Sequence, residues 1–135
     1  MTAGYSGKPL AEKLGWTRGM RVWFHHMPES VRDEIDPEGI GLEEQPSVSD
    51  GMQGAHMFCT DRATMDHHLR ALRPLLAPNA IVWVSWPKKT AKVDTDITED
   101  VIREVALPVG LVDVKVCAID TVWSGLKLMI RREHR

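Results

Sequence analysis

The chain has 135 residues, 43% hydrophobic and 27% charged, with a formal net charge of -2, the make-up of one globular domain around a single core. That charge gives no reason to expect nucleic acid or an anionic membrane as a general partner, and no apolar run approaches the roughly 18 to 20 residues that a membrane helix needs. The start, MTAGYSGKPL, lacks a basic region followed by an apolar stretch, and the two cysteines, Cys59 and Cys117, read as reduced thiols, so a cytoplasmic protein without a secretion signal is expected.

Residues 1–7 are small and read as a flexible tail before a single domain over 8–135. The string GYSGKP resembles a phosphate loop but fails its test. Lys8 is followed by Pro9 rather than Ser or Thr, Thr2 stands where the first glycine is needed, and no strand precedes it. A short helix is expected from Lys8 to Gly15, with Pro9 in its first turn and Gly15 as its stop. Gly19 to His26 reads as the first strand, and Pro28 opens an acidic helix over Glu29 to Ile35. A short charged strand is expected around Ile40 to Glu44, at an edge.

Ala55 to Thr60 reads as a third strand. Thr60 or Asp61 then caps a helix reaching about Leu76, with Met65, Leu69, Leu72 and Leu76 on one face and Pro74 tightening its last turn. Pro78 and Asn79 read as a turn into AIVWVSWPKK, residues 80–89, whose apolar start without polar alternation is the signature of a strand covered on both faces. Pro87 cannot donate to a ladder, so pairing is expected to stop there. Asp96 is expected to cap a fourth helix, with Glu99 completing a capping box, and Pro108 and Gly110 to end it. Two strands close the chain, Val112 to Ile119 and Leu126 to Arg131, joined by a turn over Asp120 to Gly125 and therefore antiparallel. The alternation predicts an α/β fold: a doubly wound, mostly parallel, five- to six-stranded Rossmann-like sheet in the order 2-1-3-4-6-5, with strand 6 antiparallel.

From Asp61 onward the pattern resembles the second half of a Rossmann-like methyltransferase. LRALRPLLAPNAIVWVSW is similar to the helix, turn and strand of such enzymes, and GLVDVKV with TVWSGLKLMIRR to their closing hairpin. The resemblance implies a glycine-rich turn after strand 1 for an adenosyl ligand. Here strand 1 runs into His25, His26, Met27, Pro28 and Glu29, with no glycine to allow close approach. A strand-helix unit between strands 2 and 3 is also missing. The topology is thus a reduced one, and no cofactor is expected. Over most of its length the chain resembles the small bacterial proteins grouped as domain of unknown function 3052. That resemblance is carried by LAEKLGW, WVSWPKK, DITEDVIREVA and GLVDVKVCAIDTVWSGLKL. It implies a Rossmann-like domain and brings no activity and no catalytic residues.

Open α/β sheets bind ligands beyond the carboxyl ends of their strands. Lys88 and Lys89 stand there as ammonium donors for an anion, or as a solvated loop. Trp86 and Trp123 line a shallow pocket or pack core, with Ser85 and Ser124 beside them, and the Trp86–Pro87 bond has the option of being cis. Neither serine sits in a Gly-x-Ser-x-Gly elbow, so no hydrolase triad follows. His25 or His26 at the strand 1 exit suits a general base. As strand neighbours they point to opposite faces and do not share an ion, His67 and His68 lack the spacing for one, and no metal is expected. Cys59 faces the cleft rim and would need a lysine or histidine nearby to become reactive; otherwise it is an inert buried thiol. Three readings follow. The first is a non-catalytic ligand-binding or regulatory module whose small anionic ligand or protein partner docks around His25, Cys59, Trp86, Lys88, Lys89 and Trp123. The second is a small enzyme acting on an anionic substrate, with Lys88 as binder and a histidine as base. The third is a scaffold that forms a homodimer through an apolar edge.

Overall fold

The computed structural model describes residues 8–135; the tail expected over 1–7 lies outside the described residues. One six-stranded sheet runs through the molecule: β1 (Arg21–His25), β2 (Glu43–Gln45), β3 (Met52–Phe58), β4 (Leu76–Pro87), β5 (Leu111–Ala118) and β6 (Trp123–Ile130). Their order is β2-β1-β3-β4-β6-β5. The first four strands pair in parallel, and β6 runs antiparallel to both of its neighbours. This is the expected order. No helix among the described residues is long and apolar enough to cross a membrane.

Helices cover both faces. On one side α1 (Leu10–Leu14) and α2 (Glu29–Ile35) pack Leu14, Val31 and Ile35 with Trp16 against Val22, Phe24, Phe58 and Trp83. On the other, α3 (Arg62–Leu72) and α4 (Glu99–Ala106) bring Met65, Leu69, Leu72, Ile102 and Val105 onto Met57, Val82, Val84, Leu126 and Leu128. This explains the unbroken apolar run of β4: Trp83 points to one helical layer, Val82 and Val84 to the other. The Trp83 indole donates from Nε1 to the Leu14 carbonyl at 2.8 Å, giving a buried N–H a partner at the end of α1. Trp16 crosses β3 at Gly54, where a Cβ would lie 2.4 Å from its ring.

Five expectations need correction. The helix expected to reach about Leu76 ends at Leu72, a 3₁₀ turn with Pro74 follows over Arg73–Leu75, and Leu76 is the first residue of β4. Residues 40–42 belong to the turn after α2 rather than to a strand, with Ile40 and Leu42 donating to Asp36 and Pro37 carbonyls at 3.0 and 2.9 Å; β2 shrinks to three residues. Pro78 and Asn79 lie inside β4, in an exposed bulge where β3 advances from Met52 to Gly54 while β4 advances from Leu76 to Ile81. The cap of α4 is Thr98, which accepts from the Val101 amide at 3.2 Å. Asp96 instead accepts from the Arg62 amide at 2.7 Å, serving α3 beside its own cap Asp61, while Glu99 pairs with Arg103. Finally, the last turn is tighter than expected. Asp120 accepts from the Val122 and Trp123 amides, both at 2.8 Å, which frees Trp123, Ser124 and Gly125 to pair with Pro87, Trp86 and Ser85. Pro87 is the last paired residue of β4, its peptide bond to Trp86 is trans, and the Lys88 amide adds one bond to Val122 O at 2.7 Å.

Candidate functional site

β1 ends at His25, and the chain turns there without a glycine. His26 takes a φ of 53°, a left-handed conformation that costs a non-glycine residue about 1–2 kcal/mol. The turn carries His26 out of the alternation of the strand. The two imidazoles, expected on opposite faces, lie ring on ring instead, with centroids 3.9 Å apart and planes 14° from parallel. His68 of α3 comes to 4.2 Å from His25 and 5.4 Å from Trp23, and His67 lies 5.4 Å from His68. Among the described residues no three His, Cys, Asp or Glu are placed to hold a metal ion; the stacked rings present faces to each other rather than nitrogens to a common centre.

The histidine pair is a wall between two hollows. One, of about 360 Å³, opens over the carboxyl ends of β1 and β3; Phe58, Cys59, Thr60 and Asp61 line it, with Thr64 from α3 and Trp123 from β6. The other, of about 460 Å³, lies toward β2 between Trp23, His67, His68 and the loop 46–48. Burial pushes His25 down to about 4, with His68 and His26 adding to the effect. Burial, then His67 and His26, lowers His68 in the same direction. Cys59 is pushed up to about 12 by burial and then by the charge of Asp61. Asp61 is held below its ordinary range by the Thr64 amide, which it accepts at 2.9 Å. At neutral pH the first hollow therefore offers a neutral His25 imidazole, a protonated thiol, two hydroxyls, an indole and one carboxylate. These groups stack and hydrogen-bond; the thiol in that state is no nucleophile.

No protein-family model matches the chain, and no curated protein sequence matches it. Solved structures do. The chain superposes on a SAM-dependent methyltransferase from Aquifex aeolicus with a TM-score of 0.60 at 14% identity, covering 90% of this chain and 87% of that one. A ribosomal protein L11 methylase from Lactobacillus delbrueckii subsp. bulgaricus gives 0.56 at 10% identity, over 90% and 77%. The LepI complex with SAM gives 0.59 at 12% identity; 92% of this chain is covered, but it spans only 47% of that longer one. The scaffold is methyltransferase-like.

On this methyltransferase-like scaffold the candidate residues separate. His25, Cys59 and Trp123 meet at the first hollow, where Trp123 stands edge-on to Phe58 at 5.2 Å. Ser85 is fully buried in β4, and its Oγ lies 2.7 Å from Nε2 of His56. That pair is sealed in the core, with burial pushing His56 down to about 3. Trp86 is half-buried and packs against the α3–α4 side of the core. Ser124 pairs beside it in β6. Lys88 is half-buried, Lys89 is exposed at the start of a 3₁₀ turn, and neither lines the two hollows. Sequence reasoning named His26 as a base and weighed His68 only as a metal ligand; the partners it left out of the site are Thr60, Asp61 and Thr64, together with the packing of His68 on His25. The available signal was the pair of His-His doublets, one at a strand exit and one midway along the helix that packs over it.

Proposed function

We propose that the protein is a ligand-binding module without catalysis of its own, built on a methyltransferase-like scaffold. Its ligand docks at the carboxyl ends of β1 and β3, against His25, His26 and Trp123. The observation that carries this reading is the end of β1. Where the resemblance implies a glycine-rich turn, two stacked imidazoles fill the exit, and the nearby thiol is held protonated. The hollow suits a small organic molecule with a ring to stack and a hydrogen-bonding group for Thr60, Thr64 or Asp61. The resemblance to the bacterial domain of unknown function 3052, read from sequence motifs alone, agrees with such a scaffold and supplies no activity. The two free thiols fit a cytoplasmic setting.

Thermal melting against a panel of small metabolites tests the reading. A hit should raise the melting temperature of the wild type and not of Trp123→Ala, and S-adenosylmethionine should not be among the hits. A panel without a single hit would remove the reading.

A second reading, a homodimer through the sheet edge, is favoured by Val114 and Val116, 49% and 51% exposed on the outer strand β5. The bulge at Val114 and the charges of Asp113 and Lys115 work against it. A single monomeric mass in light scattering would discard it.

A further inference from the structure

The pole of the sheet opposite His25 carries a third hollow of different character. Its volume is about 380 Å³, within the lower range of small-molecule sites. Arg73, in the 3₁₀ turn after α3, supplies one wall, Arg131 and His134 at the end of the chain supply another, and the turn 107–110 after α4 supplies the floor. We propose that this hollow binds a small molecule bearing a phosphate group.

No carboxylate lines the hollow. The arginines of α2, α3 and α4 each hold one: Arg32 with Glu44, Arg62 with Glu104, Arg70 with Asp66, Arg103 with Glu99. Among the described residues, Arg73, Arg131 and His134 have no carboxylate within ion-pair distance. In a chain with a formal net charge of -2, two arginines that line one hollow without a carboxylate partner are a local excess of positive charge.

The donors are also fixed in place. Arg73 is half-buried and donates from Nε to the Val109 carbonyl at 2.9 Å, which sets the plane of its guanidinium and leaves the two terminal nitrogens for a ligand. Gly110 has a φ of 86°, and a Cβ placed on it would lie 3.5 Å from Arg73 Nη2 and from His134 Nδ1 alike. The two donor groups therefore converge over one glycine. The Arg131 amide bonds to Gly110 O at 2.9 Å, the His134 amide to Arg131 O at 2.8 Å, and Arg135 Nε to Ile130 O at 2.7 Å. The C-terminal turn is tied to the sheet by these bonds rather than left loose.

The charge count selects the ligand class. Two guanidiniums, planar forks matched to oxyanions, with an imidazole donor beside them suit a dianion such as a phosphomonoester better than a single carboxylate, which would leave one charge uncompensated. Leu107, Pro108 and Val109 give the organic part of the molecule an apolar wall.

Isothermal titration with pyrophosphate as the probe tests this site. The wild type should bind saturably, and more weakly as salt rises. Arg131→Gln and His134→Asn, whose side chains hold no other bond among the described residues, should keep the melting temperature of the free protein. Each should weaken binding by about tenfold or more, as expected for a lost charge-assisted hydrogen bond. Arg73→Lys should weaken it as well, because it keeps the charge and loses the fork. No saturable heat from the wild type would overturn the proposal, as would unchanged binding by all three variants. A short RNA that binds while pyrophosphate does not would overturn it in favour of a nucleic-acid surface.

Discussion

His25 and His26 stack at 3.9 Å because His26 adopts a φ of 53° at the point where β1 ends, and that contact adds to the burial and the His68 ring that keep His25 neutral. Protonating one ring places a cation against its neighbour and against His68 at 4.2 Å.

The consequence for stability has a definite sign. His25 titrates at about 4 in the folded chain and His56 at about 3, against an ordinary 6.5. Below 6.5 the unfolded chain takes up protons that the folded chain refuses, so stability falls as pH drops from about 6.5 toward those values. Each tenfold loss of proton affinity on folding corresponds to about 1.4 kcal/mol. His56 is the larger contributor because it is fully buried, and His25 is discounted for its partial exposure. Urea denaturation across this range should show the midpoint falling steadily, and a midpoint flat down to about 4 would contradict the assignment.

Gly54→Ala should destabilise the fold by about 1–3 kcal/mol, the usual result of forcing extra volume into a packed interior. The added carbon meets the Trp16 ring at 2.4 Å, and Trp16 is buried. Chemical denaturation measures the loss; a cost near zero would mean that Trp16 is not held against β3.

Asp96→Ala distinguishes two roles for one carboxylate. Its bond runs to the Arg62 amide, so the variant should speed hydrogen exchange at Arg62 and leave the first turn of α4 unchanged, with a loss of about 0.5–2 kcal/mol. Faster exchange at Val101 instead would return Asp96 to α4.

Cys59 should resist alkylation in the folded protein, since burial and Asp61 push its thiol to about 12. The half-buried Cys117 should react first. Mass spectrometry after iodoacetamide treatment at mildly alkaline pH checks the order, and early labelling of Cys59 would contradict it.

The architecture was legible because its signals are local and repeated. The apolar run of β4 announces a strand with helices on both sides, and alternation with right-handed crossovers yields the strand order. What stayed hidden depends on single long-range bonds. Nothing in the spacing of Asp96 says that its carboxylate reaches Arg62, 34 positions earlier. Nothing in Asp120 says that it will draw two amides into a tight turn and hand Trp123 to the sheet. The site was half legible for the same reason. Its position at the strand carboxyl ends follows from the fold class, whereas the meeting of His68 with His25 is set by how α3 packs over β1. Period-2 alternation placed His25 and His26 on opposite faces; one backbone angle brought them together.

The claim that this scaffold holds a ligand site walled by histidines, in place of an adenosyl site, is tested most directly by the imidazole resonances. Long-range proton–nitrogen spectra, recorded while small organic compounds and S-adenosylmethionine are titrated in, report on His25 and His26 individually. Ring-bearing hits should shift these two resonances, and S-adenosylmethionine should leave them in place. A saturable shift with S-adenosylmethionine would contradict the claim.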